Sequence, residues 1–235
     1  MKSQARVDAG RKAKKDGHVK ETALSQKLTE QTGHKHETDG GNKTKQDILC
    51  KILKTFYSQK SASGKHTQVH LTPTRIWCEY FNIDGDLRTW FDKFFGLPRT
   101  GKAGRVGTSQ IDNNLNQLAL KWFNDNKMAI FDVIVRHGAY DIDGEIKKGE
   151  SVTHVIWYNK REDTVEKVVT VDYLADIVRD GKWIWSTHVK GNATVLWFMD
   201  KNGNKLFHLQ MKGSGDLSQK NSLQFHIYKP YVITK

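Results

Sequence analysis

Two short apolar segments joined by a polar linker, within Lys45–Thr72, place the strongest restriction on the fold of this chain. The segments Gln46–Leu53 and His66–Leu71 mix apolar with β-branched residues, and the linker between them carries Ser, Gly and Lys. This pattern is typical of two strands joined by a loop. We therefore predict an antiparallel hairpin, in which the start of the first strand lies beside the end of the second.

Polar side chains stand at the two strand ends that this hairpin would bring together. Asp47 opens the first strand, and Gln68 and His70 close the second, with Val69 between them. Because strand side chains alternate, Gln68 and His70 are expected on one face and Val69 on the other. An acid, an amide and a base that converge in this way suit a divalent metal ion and a water nucleophile.

The balance of charge favours a polyanionic partner. The 235-residue chain carries 38 Lys and Arg against 26 Asp and Glu, a formal net charge of +12. Such an excess makes nucleic acid the first candidate, although a merely basic soluble protein is the alternative on charge alone. The 7 Trp, 10 Phe and 7 Tyr residues are enough to build a packed core.

Cysteine usage and the start of the chain indicate a reducing compartment. Only Cys50 and Cys78 occur, so neither a disulfide framework nor a thiolate zinc cluster is expected. The basic start lacks the apolar run of a signal peptide. No apolar stretch approaches the ~20 residues of a membrane span. We expect a protein of the bacterial cytoplasm, without membrane contact.

The first 30 residues are predicted to form a basic tail followed by a helix. Residues 1–10 read as the tail, and Lys14 and Lys15 are candidates for contact with phosphates. From Gly17 onward, apolar residues at helical spacing predict a helix, with Glu21 outside the centre of the apolar stripe. The stripe comprises Val19, Ala23, Leu24 and Leu28.

The rest of the chain alternates between helical and strand patterns. Met128–Gly138 fits either a helix continuation or a buried strand, because periodicity cannot separate the two. The predicted helices are Arg75–Phe81, Asp86–Phe95, Asn113–Asn126 and a short one ending at Gly181. The predicted strands include Ser151–Lys160, Asp163–Val171 and Leu223–Tyr228, and an Asn-Gly turn in KNGN predicts a further hairpin.

Two basic or glycine-rich stretches are candidates for contact with DNA. The loop Arg99–Gln110 fits a clamp on the DNA backbone or, equally, a solvated linker. The run Gln210–Gly215 offers side chains for base edges and glycines for close approach to phosphates, or it is an ordinary strand end. The candidate DNA-binding residues are Arg99, Lys102, Arg105, Arg136, Lys190, Gln210, Lys212, Gly213 and Ser214, besides Lys14 and Lys15.

Two other places combine an acid or amide with a lysine two residues on. Asp200 with Gln210-x-Lys212 is disfavoured, because the two ends of that hairpin should lie roughly 20 Å apart at about 3.3 Å per strand residue. Glu145-x-Lys147 lies in a polar, turn-like run. Neither is expected to be the reactive site.

Three stretches together resemble the type II restriction endonucleases of the PD-(D/E)XK superfamily that cut four-base-pair sites. They are Lys14–Ala23, then QDILCKI followed by TQVHL, and then the C-terminal half from NQLALKWFNDN to SLQFHIY. The resemblance covers residues 10–71 and 113–230, and it is weak from Pro73 to Asp112. It is strongest to the Haemophilus-type enzymes that cut GCGC, and more distant to the CCGG-cutting Moraxella-type enzymes.

The resemblance implies a set of residue roles around a Mg²⁺ ion. Asp47 matches the metal-binding aspartate, Glu21 an acid on the first helix, and the Val69 carbonyl a further ligand. Gln68 matches a position usually held by Glu or Asp, where this subgroup uses an amide. His70 stands where the family has lysine.

That histidine leaves the source of the catalytic positive charge open. Lys65 or Lys51 could reach in from the same hairpin in place of the expected lysine. A neutral histidine could serve as a base, and a protonated one as a cation.

The resemblance also implies fold and function. The expected fold is α/β, with a restriction-endonuclease-like central mixed β-sheet flanked by helices and a β-rich C-terminal part. Residues 11–112 would form the catalytic region with a helical insert, and residues 113–235 a DNA-recognition region packed on the same domain.

The expected activity is Mg²⁺-dependent cleavage of double-stranded DNA at a short palindrome of four base pairs, with GCGC as the guess by resemblance. The chain would act as a monomer or homodimer, alongside a DNA methyltransferase that modifies the same site. The alternative is a DNA-binding protein of the same fold with weakened or lost catalysis. An RNA-binding module is disfavoured because no signature of the common RNA-binding domains is present.

Overall fold

The computed structural model describes residues 4–39, 45–62, 64–95, 111–142, 144–159, 161–186, 194–211 and 222–229. Within these ranges the helices are α1 (Gln4–Thr32), α2 (Thr74–Tyr80), α3 (Gly85–Phe95), α4 (Asn113–Asp125), α5 (Lys127–Phe131) and α6 (Val171–Asp180). A π-helical turn, Asp132–Arg136, continues α5.

The strands belong to two five-stranded sheets and one small hairpin. The first sheet holds β1 (Glu37–Thr38), β2 (Ile48–Cys50), β3 (Thr55–Ala62), β7 (His154–Asn159) and β8 (Thr164–Thr170). The second holds β4 (His66–Pro73), β9 (Lys182–Trp185), β10 (Thr194–Met199), β11 (Lys205–Met211) and β12 (Ser222–Tyr228). The hairpin pairs β5 (Tyr140–Ile142) with β6 (Glu145–Lys147).

The first sheet is mixed and the second is antiparallel. The first runs in the order β1-β2-β3-β7-β8, with β3 and β7 parallel and the other pairs antiparallel. The second runs β4-β12-β11-β10-β9. These sheets, the helices around them and the strand-rich C-terminal part confirm the predicted mixed α/β class. Each sheet takes strands from both sides of residue 112, so the two predicted regions share one fold.

Aromatic side chains from the helices and both sheets form one large core. Trp90 and Phe94 of α3 are stacked with ring centroids 5.4 Å apart, and both are fully buried. Trp157 of the first sheet and Phe225 of the second belong to the same buried cluster. The aromatic stripe that the sequence shows in α3 is therefore core.

The predicted hairpin between the segments around Asp47 and His70 is wrong. Thr55–Ala62 forms strand β3 instead of a loop, and it pairs with β2 on one side and β7 on the other. Strand β4 lies in the other sheet, paired with β12. The polar composition of β3 does not reveal a strand, because its place in the sheet comes from backbone pairing with β2 and β7.

Most of the C-terminal prediction is confirmed. Strands β7 and β8 form the predicted hairpin, and α6 ends at Asp180 with Gly181 as its C-cap. Strands β10 and β11 are joined by the predicted turn, in which Gly203 has φ of 82°. The ambiguous segment Met128–Gly138 is resolved as helix α5 and its π-helical turn. None of the described helices is both long enough and apolar enough to cross a membrane.

Candidate active site

Asp47 lies immediately before β2 and is fixed against β3. Its backbone N–H donates to the carbonyl of Tyr57 at 2.7 Å. Its side-chain oxygen Oδ2 accepts from the backbone N–H of Gln59 at 2.6 Å and from the hydroxyl of Ser58 at 3.3 Å. The carboxylate is thus held beside the middle of β3, a segment whose sequence predicts a loop.

The edge of β3 is open at this point in the described part of the chain. Strand β2 pairs with β3 only from Thr55 to Tyr57. Beyond Tyr57, the backbone N–H of Gln59 donates to the carboxylate of Asp47 instead of to a neighbouring strand. A residue in an antiparallel ladder directs its N–H and its C=O toward the same neighbour. The carbonyl of Gln59 therefore faces the same open edge as its N–H, beside Asp47.

Side-chain alternation along β3 brings Lys60 into the site. Ser58 and Lys60 project from one face of the strand, and Tyr57 projects from the other. Lys60 is half-buried, and its charge lowers the pKa of Glu21 and of His70. A polar residue followed two positions later by lysine is the pattern that the resemblance implied, found here ten residues earlier than expected.

Helix α1 supplies the second acid. Leu24 packs with Ile48, Tyr57 and Ile156 on the side of the first sheet opposite Ser58 and Lys60. Lys20 forms an ion pair with Asp163 at 3.2 Å in the turn between β7 and β8. These contacts fix the rotation of the helix.

The face of α1 turned inward differs from the predicted one. Val19 is 61% exposed, whereas Leu24 and Ser25 are buried, and Ser25 donates to the carbonyl of His36 at 2.7 Å. Because residues three and four apart share a helix face, Glu21 lies in line with Leu24 and Ser25. The acid is part of the inward stripe, although the apolar pattern of the sequence places it outside.

The charge of Asp47 acts on the carboxyl group of Glu21. Burial, followed by the negative charge of Asp47, raises the pKa of Glu21. His18 lies 3.1 Å from Glu21, and its hydrogen bond and charge, with the charge of Lys60, act in the opposite direction. Like charges brought together at a half-buried position are typical of functional sites.

Lys45 is buried next to the candidate site, and the sequence did not identify it as a candidate residue. Its fully buried ammonium donates to the carbonyls of Val69 at 2.7 Å and Ile134 at 2.8 Å. Burial, then the charge of Lys60, lowers the pKa of Lys45 well below its usual value, and Asp47 opposes this shift. The Val69 carbonyl thus accepts a hydrogen bond from Lys45, and the Gln59 carbonyl, which faces the open edge beside Asp47, is a further candidate metal ligand.

A bulge in β4 separates Gln68 from His70. The register with β12 shifts so that Phe225 lies opposite His70 but His226 lies opposite Gln68, which leaves Val69 as an extra residue. The alternation on which the prediction relied is broken there. Gln68 and His70 therefore point to opposite faces of the second sheet.

The strand that carries Gln68, β4, is not paired with β2, so the predicted hairpin does not place Gln68 beside Asp47. Gln68 is exposed, and its side-chain oxygen accepts from Gln224 at 2.6 Å, across the sheet. It belongs to a polar row on the second sheet, in which Gln210 donates to Gln224 at 2.8 Å.

His70 is buried next to Trp77 and Phe225 and cannot supply a cation. Its ring lies 6.5 Å from Trp77 and 6.4 Å from Phe225, and its Nε2 has no hydrogen-bond partner within the described residues. Burial, then the charges of Lys45 and Lys60, lowers its pKa well below 6.5. The imidazole is therefore neutral at physiological pH and shielded from water.

The stability of the fold is expected to fall in acid because of His70. As pH decreases below 6.5, this imidazole becomes protonated in the unfolded chain but stays neutral in the folded chain. The free energy of unfolding therefore decreases by up to about 1.4 kcal/mol per pH unit. The loss runs from pH 6.5 down to the lowered pKa of the folded state. Urea unfolding at several pH values should show a smaller slope for His70→Leu than for the wild type. The same change at half-exposed His34 controls for the loss of an imidazole, and equal slopes for His70→Leu and the wild type would contradict this expectation.

The other candidate lysines lie away from the two acids. Lys51 is exposed in the turn after β2 and pairs with Glu37 at 3.6 Å. Lys65 is exposed just before β4, where its carbonyl accepts from the backbone of Lys229 at 2.9 Å. Lys60 is therefore the lysine that the fold brings to the acids.

The rival pattern at Asp200 and Gln210 keeps the expected separation, whereas Glu145-x-Lys147 forms strand β6 instead of the predicted turn-like run. Asp200 accepts from the backbone of Asn202 and Asn204 in the turn, whereas Gln210 pairs with Thr194 at the far end of the hairpin. On β6, Lys147 pairs with the exposed Glu145 at 3.3 Å.

The described residues cover part of the predicted DNA-binding set. Lys15 is exposed on α1, and Arg136 forms ion pairs with Asp132 at 2.9 Å and Asp172 at 3.3 Å. The backbone of Lys14 lies in α1, which begins at Gln4 and so includes most of the predicted tail. The candidates that lie outside the described residues are Arg99, Lys102, Arg105, Lys190, Lys212, Gly213 and Ser214.

Comparison with known proteins shows a structural likeness at low sequence identity. Neither models of protein families nor curated proteins match this chain. Among solved structures, a similar chain is the restriction endonuclease MspI in complex with its cognate DNA, at 13% identity and a TM-score of 0.44. The alignment covers 87% of this chain and 77% of that chain. At this level the likeness decides neither fold nor function, so the function is inferred from the arrangement of side chains.

Proposed function

We propose that this protein is a Mg²⁺-dependent endonuclease of double-stranded DNA. The observation that carries the proposal is the Asp47 carboxylate held at the open edge of β3, with the charges of Asp47 and Lys60 both acting on the half-buried Glu21 of α1. These residues come from three separate parts of the chain: Glu21 from α1, Asp47 from the position before β2, and Lys60 from β3.

The donor set fits a hard divalent cation. The side chains of Asp47 and Glu21 and the carbonyl of Gln59 offer oxygen ligands, which Mg²⁺ prefers over nitrogen or sulfur. When bound, such an ion supplies positive charge beside a phosphodiester and lowers the pKa of a bound water. Burial, followed by the negative charge of Asp47, raises the pKa of Glu21, and a cation at this place would favour the charged form of both acids.

The residues of the chain have separable tasks in this proposal. Asp47 is held rigid by Gln59 and Ser58, so it is already oriented toward the open edge before any ligand arrives. Lys60 offers a positive charge for the scissile phosphate or for the attacking water. Ser58 replaces the acid or amide that the resemblance led us to expect, and it acts through its hydrogen bond to Asp47.

Lys60 removes the main reason to favour an inactive DNA-binding protein. That alternative arose from the absence of lysine two positions after Gln68. With β3 beside Asp47, a lysine stands two positions after Ser58. Cleavage is therefore proposed ahead of binding alone.

Recognition of a short palindrome is also proposed, with support from charge and from the second sheet. The net charge of +12 favours a polyanion. Gln68, Gln224 and Gln210 form a row of amides, and an amide can donate to and accept from base edges in the major groove. A four-base-pair site, GCGC as its sequence, a partner methyltransferase, and action as a monomer or homodimer follow from the sequence resemblance.

A plasmid digest tests the proposal directly. Unmethylated plasmid incubated with the protein and Mg²⁺ should give discrete fragments, and the reaction should stop with EDTA. Retarded but intact DNA would instead support the binding protein. Sequencing the fragment ends would identify the recognised bases and the stagger of the cut.

Gln210→Ala is expected to weaken discrimination more than affinity. A bidentate contact between an amide and a base contributes about 1–3 kcal/mol of selectivity. The ratio of cleavage rates on the recognised site and on sites with one changed base should fall by about tenfold or more. Equal loss of binding to all sequences would contradict a role for Gln210 in base reading. Asn202→Ala, in the exposed turn at the other end of the same hairpin, is the matched control.

A further inference from the structure

Three histidines from three neighbouring strands converge on the second sheet. His66 belongs to β4, His208 to β11 and His226 to β12. His208 lies directly opposite His226, and His66 lies opposite Tyr228 on the far side of β12. One nitrogen from each ring lies within 4.8 Å of one nitrogen from each of the other two.

The rings are spaced for a shared ligand. The Nδ1 atoms of His66 and His226 are 3.2 Å apart. Imidazole nitrogens bound at about 2.0–2.1 Å around a tetrahedral zinc ion lie about 3.3 Å from each other. This pair is already close to that spacing, and His208 has a nitrogen within 4.8 Å of both, so its side chain must move closer to share the ion.

The rings of His208 and His226 are stacked with His66 facing them, so binding of one ion by all three requires one ring of the stacked pair to turn. The ring of His66 stands nearly edge-on to His208, at 82°, and to His226, at 75°. His208 and His226 are stacked at 4.5 Å with 10° between their planes. The nitrogen-bearing edges of the stacked pair therefore lie side by side, with His66 across from them.

A buried nitrogen in this cluster has no partner within the described chain. His208 is only 4% exposed, and its Nδ1 is buried without a hydrogen bond. Buried polar atoms in folded proteins are nearly always paired, so an unpaired one calls for an explanation. A bound cation would supply the missing partner.

We propose that His66, His208 and His226 form a binding site for one transition-metal ion of the zinc class. Imidazole nitrogen suits Zn²⁺, Cu²⁺ or Ni²⁺, whereas Mg²⁺ prefers oxygen. The ion would link β4, β12 and β11, which are neighbours in the second sheet, and would thereby stabilise their pairing. This site is distinct from the oxygen-rich site at Asp47, and it does not depend on nuclease activity.

The residues around the three histidines leave a path for a metal ion and contact the ring of His226. His66 is exposed, which provides an entry path for the ion. The side-chain nitrogen of Gln210 lies 3.0 Å from Nε2 of His226, on the opposite edge of the ring from the facing Nδ1. A partner on the outer ring nitrogen fixes the orientation of a metal-binding histidine. Rotation of the Gln210, Gln224 and Gln68 amides together lets the Gln210 oxygen accept from Nε2–H and keeps the row of amides hydrogen-bonded.

Zinc titration of the tag-free chain, stripped with EDTA, tests the site without any DNA. We expect one Zn²⁺ per chain, a rise in melting temperature on zinc addition, and visible absorption of tetrahedral type when Co²⁺ replaces zinc. His66→Gln should weaken zinc binding by at least about 100-fold, since even loss of a supporting hydrogen bond costs about 10–100-fold. His226→Gln is the second variant, and circular dichroism checks that each is folded.

Two controls make the outcome decisive. His34→Gln, in the loop after α1, should bind zinc like the wild type, and so should Asp47→Asn. Absence of saturable zinc binding, or equal affinity in His66→Gln, His226→Gln and the wild type, would overturn the proposal. Loss of zinc binding in Asp47→Asn would overturn it as well, because the ion would then lie at the acids.

Discussion

Asp47→Asn is expected to abolish cleavage of plasmid DNA, with a fall in rate of at least about a thousandfold. A metal ion at a phosphodiester contributes several kcal/mol to the transition state, and each 1.4 kcal/mol is about tenfold in rate. Asparagine keeps the size of the side chain and an oxygen that can accept from Gln59, so the local geometry is retained while the negative charge is lost. Single-turnover cleavage with excess enzyme measures the effect.

Binding separates a catalytic role for Asp47 from a structural one. In a mobility-shift assay without divalent metal, Asp47→Asn should retain affinity for DNA equal to or above that of the wild type, because a negative charge near the phosphate has been removed. Asp176→Asn, an exposed acid on α6, controls for the charge change and should cleave normally. Normal cleavage by Asp47→Asn would reject the proposed site.

Lys60→Gln is expected to lower cleavage by about a hundredfold to ten-thousandfold, the range for a positioned acid–base or charge-stabilising group. Glutamine has similar length but no charge, and its amide can still occupy the half-buried position. Loss of Lys60 also removes a charge that lowers the pKa of Glu21, so that pKa should rise further. The pH dependence of the residual rate should shift upward accordingly, because a higher pH is then needed to ionise Glu21.

The comparison with Gln68 distinguishes the two possible positions of the motif. Gln68→Ala should leave the rate of the chemical step within about tenfold of the wild type, because this side chain bonds to Gln224 and not to Asp47. Lys51→Gln, in an exposed turn, is the charge-matched control for Lys60→Gln. An active Lys60→Gln together with an inactive Gln68→Ala would restore the assignment made from the sequence.

His70→Lys gives a further distinction. If His70 occupied the lysine position, the substitution should raise cleavage. In the structure it would instead place an ammonium beside Trp77, Phe225 and the charges of Lys45 and Lys60. The expected result is loss of stability with no gain in activity, measured by urea unfolding alongside the cleavage assay.

Local patterns predicted the elements with strong signals of their own. The aromatic stripe of α3, the helix α4 and the hairpin of β7 and β8 all follow the period that their sequences show. The bulge in β4 has no comparable signal, because the extra residue, Val69, is an ordinary strand former. A single inserted residue places Gln68 and His70 on opposite faces of the sheet, and alternation in the sequence alone could not show it.

Residue types and their order along the chain were enough to identify the candidate acids Asp47 and Glu21, the basic character and the mixed α/β class. They were not enough to show which strand lies beside Asp47, and hence that Lys60 stands in the place expected for the lysine. The reason is that β3 is held in the sheet by β7, with hydrogen bonds between Phe56 and Thr153 that span 97 residues. Strand β4 is held by β12, whose Gln224 bonds to Gln68 across 156 residues. Pairing over such distances depends on how the whole core packs, and it leaves no trace in a short stretch of sequence.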